Sequence, residues 1–219
     1  MIVHILLVAH IVVLGYWLGS EFVINSTFRY VSHAGAMPFA ERDRLMDHVM
    51  DVDQHVRYAL VLQAGLGTAL AALFGYFPGG AALAWAAAAG AIAWLALVEA
   101  THRWRATARG QRLASIDRGL RYAAIAVLVG AGLLSPTGLV CLPGWLAWKL
   151  VAFAGVIGCG LGIRYAMMDF YGVWSVIERE GSSDAQEREI HRIYVRATGV
   201  LGLLWVFIAA VVTLSVIKP

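Results

Sequence analysis

Residues 2–24 read IVHILLVAHIVVLGYWLGSEFVI. Within these 23 residues Glu21 is the one formally charged side chain. As an α-helix the stretch covers about 34 Å, enough to cross a hydrocarbon layer of about 30 Å. Its apolar residues do not alternate with polar ones, which argues against a strand of a membrane barrel. No basic segment precedes it and no small-residue cleavage site follows it, so it predicts a retained first helix rather than a signal peptide.

Five further apolar stretches have the same character: 57–77, 80–101, 120–134, 145–168 and 193–217. The fourth is short, and its helix is expected to begin near Ile116. The expected fold is therefore all-α, one polytopic membrane bundle of six transmembrane helices spanning residues 1–219. The composition agrees: 60% of the 219 residues are hydrophobic and 14% charged, far from the balance of a soluble enzyme, a disordered tail or a disulfide-stapled secreted domain. Cys159 lies inside an apolar run and Cys141 in a short connection, so no mutual disulfide is expected.

Lysine and arginine placement sets the expected orientation. Fifteen of the 17 fall between helices 1 and 2, between helices 3 and 4, or around the junction of helices 5 and 6; Lys149 and Lys218 are the exceptions. That asymmetry predicts three basic loops in the cytoplasm and both termini outside, in a multi-pass protein of a bacterial-type inner membrane. The net charge of +3 gives no argument for nucleic acid, because the arginines sit in loops between apolar runs. The connections 75–80 and 135–144 are short and rich in Gly and Pro, as tight antiparallel hairpins require. Glycines in helices 2, 4, 5 and 6 allow close backbone approach, which drives helix association in lipid, or else leave room for a flat cofactor.

Residues 40–56 carry Leu45, Val49, Val52 and Val56 at helical spacing. They predict an amphipathic cytoplasmic helix running into helix 2, which roofs a site or lies on the membrane. Ser183 or Asp184 is placed to cap helix 6. A weak internal echo links Asp53-Gln-His-Val-Arg57-Tyr58-Ala59 with Asp117-Arg-Gly-Leu-Arg121-Tyr122-Ala123.

Ionisable residues inside a membrane are costly and are functional candidates. His10, near the middle of helix 1, can bind metal or haem, relay protons, or hydrogen-bond a neighbouring helix. Lys149 either snorkels beside Trp145 and Trp148 or holds an anionic group. Arg57 and Arg121 suit carboxylates through their guanidinium forks. A second set lies at the basic end. Glu99 and His102 form a Glu-x-x-His pair as used in di-metal bundles. His48, Asp51 and His55 share a helical face, and Glu21 and His191 lie at similar depth. Iron, zinc or manganese could bind such groups, while the many arginines could equally claim the acids.

Helix 1, from His10-Ile-Val-Val-Leu-Gly-Tyr-Trp17-Leu-Gly19, resembles the first helix shared by HemJ-type protoporphyrinogen oxidases and CopD-like membrane proteins. Gly144-Trp145-Leu146-Ala147-Trp148-Lys149 resembles the HemJ-type Gly-Trp-Leu-x-x-Lys signature, and Val216-Ile217-Lys218-Pro219 resembles that family's end. HemJ-type proteins usually have about four helices, and the helix 2–3 hairpin looks additional to that pattern. The resemblance implies a haem b redox protein oxidising a porphyrinogen-like small molecule, with electrons passing to quinone or the respiratory chain. His10 would then be an axial ligand or proton carrier and Lys149 would stabilise an anion. Arg57 and Arg121 would hold substrate carboxylates or haem propionates. The CopD-like side of the resemblance implies metal handling or transport instead. The partners expected are the lipid bilayer, a quinone or respiratory-chain component, a small-molecule substrate and a second copy of the chain in a homo-oligomer.

Overall fold

The computed structural model describes residues 1–138 and 141–218. Pro219, the last residue of the tail motif, and residues 139–140 of the 135–144 connection lie outside the described residues. Six helices follow in order: α1 Ile2–His33, α2 Phe39–Leu73, α3 Gly80–Arg103, α4 Ala108–Leu134, α5 Gly144–Glu180 and α6 Asp184–Ile217. Each is long and apolar enough to span a bilayer. The chain is a multi-pass membrane protein in a lipid bilayer. The bundle is up-and-down: each helix packs on its neighbour in sequence, α6 closes back onto α1, and α2 meets α5 across the middle.

The hydropathy spans are the membrane cores of longer helices. α1, α2, α5 and α6 have 32 to 37 residues, about 48–56 Å, so each projects well beyond the hydrocarbon. α4 begins at Ala108 rather than near Ile116. Thr107 caps it by accepting a hydrogen bond from the Gly110 amide, 3.2 Å away. A Cβ at Gly110 would lie 1.9 Å from the Trp104 carbonyl oxygen, so the turn into α4 needs glycine there. Of the two candidate caps for α6, Ser183 is the one used, in a capping box in which Ser183 and Gln186 satisfy each other's amides.

Residues 40–56 run into helix 2 as the first half of one unbroken α2, and their apolar face packs against other helices rather than on the membrane. Their buried face, with Met46 and Val49, packs on Phe28 and Val31 of α1, Phe170, Trp174 and Ile177 of α5, and Ile190 and Tyr194 of α6. This apolar core lies at the basic end, where α1, α2 and α5 run past the hydropathy spans. A second core, built from Trp17, Leu60, Val156, Ile157 and Leu204, fills the bundle within those spans.

Candidate functional site

Where the two cores meet, charged side chains converge from α2, α4 and α5, with Trp94 reaching in from α3. Asp117 is fully buried. Its Oδ1 accepts from Trp94 Nε1 at 2.9 Å, and its Oδ2 accepts from Arg121 Nε at 3.0 Å. Arg164 Nη1 lies 3.8 Å from the same Oδ2. Arg57 donates from Nε to Asp53 Oδ2 at 2.8 Å, and Asp117 and Arg164 both lie within its electrostatic reach. Three guanidiniums thus face two carboxylates. Arg121 Nη2 is buried and, among the described residues, has no hydrogen-bond partner.

The internal echo is the basis of this cluster. Asp53–Arg57 and Asp117–Arg121 are equivalent ion pairs one helical turn apart. The sequence reading brought Arg57 and Arg121 forward and missed Arg164. A signal for it was present: Arg164-Tyr165-Ala166 is a third Arg-Tyr-Ala, after 57–59 and 121–123. In each copy the arginine joins the cluster and the tyrosine reaches sideways to another helix. Tyr58 donates to Glu99 of α3, and the Tyr122 and Tyr165 hydroxyls meet at 2.7 Å between α4 and α5.

Nearer the terminal end, His10 of α1 packs against α2. Its ring would stand 3.4 Å from a Cβ at Gly67, so glycine makes the space for the imidazole. Gln63 donates to the His10 carbonyl at 2.8 Å, while His10 Nδ1 is buried without a partner among the described residues. Lys149 of α5 is close enough to act on His10 electrostatically. Lys218 stands 5.5 Å over the Trp145 ring, so the tail motif and the start of α5 meet in space.

For haem b the donor chemistry present is of the right kind: an imidazole with an unengaged buried nitrogen, and guanidiniums for propionates. Trp17, Leu60, Val156 and Leu204 occupy the core between these two ends.

The proposed non-haem ligands are dispersed. Glu21 is buried on α1, accepting from Trp17 Nε1 at 3.2 Å. His48 is exposed. Asp51 is 4.0 Å from His102 Nε2 and 3.9 Å from Arg105. His55 is hydrogen-bonded to the Tyr16 hydroxyl. Glu99 is held by Tyr58 and Arg103. His191 stacks edge-on against His33, ring centroids 4.8 Å apart. Among the described residues no three His, Cys, Asp or Glu side chains come together as a metal requires. Equal depth brought only Asp51 and His102 together among these groups; the others turn toward different neighbours.

No family model matches the chain, and neither the curated proteins nor the solved structures contain a match to it.

Proposed function

We propose that this membrane protein binds the carboxylate of an amphipathic small molecule on the Arg57–Arg121–Arg164 cluster. The carrying observation is the buried, unpartnered Arg121 Nη2 in a cluster with more guanidiniums than carboxylates. A buried cationic excess is costly until an anion completes it, and a guanidinium fork matches a carboxylate in shape and charge. Trp94, bonded to Asp117, is a built-in reporter of that anion. Titration of the detergent-purified protein with an amphipathic carboxylate should change Trp94 fluorescence, measured against a Trp94→Phe control. The methyl ester should bind at least tenfold more weakly, and Arg121→Lys should weaken the carboxylate by a similar factor. Equal affinity for acid and ester would overturn the proposal.

By the resemblance of helices 1 and 5, the molecule is porphyrinogen-like and the protein belongs to the membrane redox class. It would sit in a bacterial-type inner membrane with its basic end in the cytoplasm and pass electrons to quinone or the respiratory chain. The unengaged Nδ1 of His10 supports this second reading. Haem b would need the packed side chains of Trp17, Leu60, Val156 and Leu204 to move apart; it would then be held by His10, with Arg57 and Arg121 on its propionates, and would supply one-electron chemistry. Lys149 would hold an anionic group beside it. An optical spectrum with metal analysis tests the reading, and His10→Ala should remove or shift the Soret band. A colourless, metal-free protein would remove the haem reading and leave the carboxylate site standing.

A further inference from the structure

At the basic end, the last turns of α1 and the first turns of α6 leave two recesses on the outer surface of the bundle. One, of about 660 Å³, is lined by Phe22, Asn25, Ser26, Arg29, Tyr30 and His33 of α1. The other, of about 600 Å³, is lined by Ser32 of α1 and by Glu187, Arg188, His191, Arg192 and Val195 of α6. They adjoin where the His33 and His191 rings touch. Arg29 and Arg188 have no carboxylate partner among the described residues, whereas Arg192 is paired with Glu189 at 3.0 Å. The carboxylate in the second recess, Glu187, is already engaged by both terminal nitrogens of Arg42. Ser32 is buried, lines the second recess, and has an Oγ with no hydrogen-bond partner among the described residues. Toward the membrane the wall turns apolar: Phe22 and Val195 are each more than half exposed.

We propose that this double recess binds the headgroup of an acidic phospholipid. The phosphate sits between the Arg29 and Arg188 guanidiniums, the Ser32 hydroxyl meets a headgroup oxygen, and an acyl chain runs along Phe22. A basic recess between helices, at the height where apolar wall gives way to arginine, complements an anionic headgroup in charge and its acyl chain in polarity. Free phosphate would leave the apolar wall without a partner. The site is separate from the buried carboxylate cluster and does not depend on it.

The test is the thermal unfolding midpoint of the delipidated protein in neutral detergent. Phosphatidylglycerol should raise the midpoint, whereas phosphatidylcholine at the same concentration and inorganic phosphate should not. The Arg29→Gln/Arg188→Gln double variant should lose the response, and native mass spectrometry should show it losing bound phosphatidylglycerol. Arg29→Lys/Arg188→Lys should recover part of the response, which separates lost binding from a damaged fold. An equal shift with phosphatidylcholine, or a full response in the Gln variant, overturns the proposal. A shift with phosphate alone shows an anion site that does not recognise lipid, and overturns it too.

Discussion

Arg42 and Glu187 show how one residue pair joins distant parts of the chain. They are 145 positions apart and form a two-pronged ion pair, with N–O distances of 2.7 and 2.9 Å. Arg42 is 1% exposed, donates to the Val31 carbonyl and lies 5.0 Å from the Trp174 ring, so it ties α1, α2, α5 and α6 together. The pair is lopsided, because the Glu187 side chain keeps 24% exposure. Glu187→Ala strands a charge that water cannot reach and should cost about 3–5 kcal/mol, whereas Arg42→Met lets Glu187 rehydrate and should cost about 2–3 kcal/mol. Detergent-phase unfolding of both variants checks that order, and the reverse order would place the strain on Glu187 instead. Burial pushes the Glu187 carboxyl up, but hydrogen bonds from Arg42 and Ser182 outweigh it and hold the group below its ordinary 4.5. A carboxylate lowered in the folded state contributes stability that is complete above its unfolded pKa and is lost as pH falls through the folded one. The unfolding midpoint should therefore drop at pH values below about 4.5, and Glu187→Gln should flatten that part of the profile.

At the scale of the helices, backbone contact decides where a glycine matters. A Cβ at Gly132 of α4 would lie 2.7 Å from the Ala147 carbonyl oxygen of α5 and 2.6 Å from a Val151 methyl, while one at Gly130 would meet nothing within 4 Å. The carbonyl cannot turn aside without opening the α4–α5 contact. Gly132→Ala should cost about 1–3 kcal/mol. Gly130→Ala should be neutral or gain up to about 1 kcal/mol from helix propensity. Unfolding of the two variants by titration with a denaturing detergent distinguishes them, and equal effects would remove the close approach as the cause. The sequence could not make this distinction, because both glycines lie on the same apolar helix and only the rotation of α4 against α5 separates them. The six spans were readable because apolar runs of the required length leave few alternatives. The extensions of α1, α2, α5 and α6 were not, since polar helix is stable there only through long-range packing such as Met46 on Phe170 and Ile190. Arg57 and Arg121 were legible through their shared motif. The scattering of Glu21, His48, Asp51, His55, Glu99, His102 and His191 was not, because sequence gives their depth without their facing.

In the whole molecule, six antiparallel helices put both chain ends and the α2–α3 and α4–α5 connections at one end, and the arginine-bearing helix ends at the other. The basic end therefore acts as a unit: the cytoplasmic side should retain it, because arginine near helix ends resists translocation. The chain carries its own probe of this orientation. Cys141, between α4 and α5, is exposed at the terminal end, and Cys159 is buried in α5. A membrane-impermeant maleimide should label Cys141 in intact cells whose outer barrier has been opened. With Cys141→Ser as background, Ala185→Cys in the exposed first turn of α6 should react only after the inner membrane is permeabilised. Because an up-and-down bundle fixes every loop once one is fixed, the two sites must respond oppositely. Labelling of Ala185→Cys before permeabilisation, with Cys141 protected, would invert the molecule. The carboxylate cluster, built where α2 and α4 come in from the basic end, would then lie nearer the outer face of the membrane.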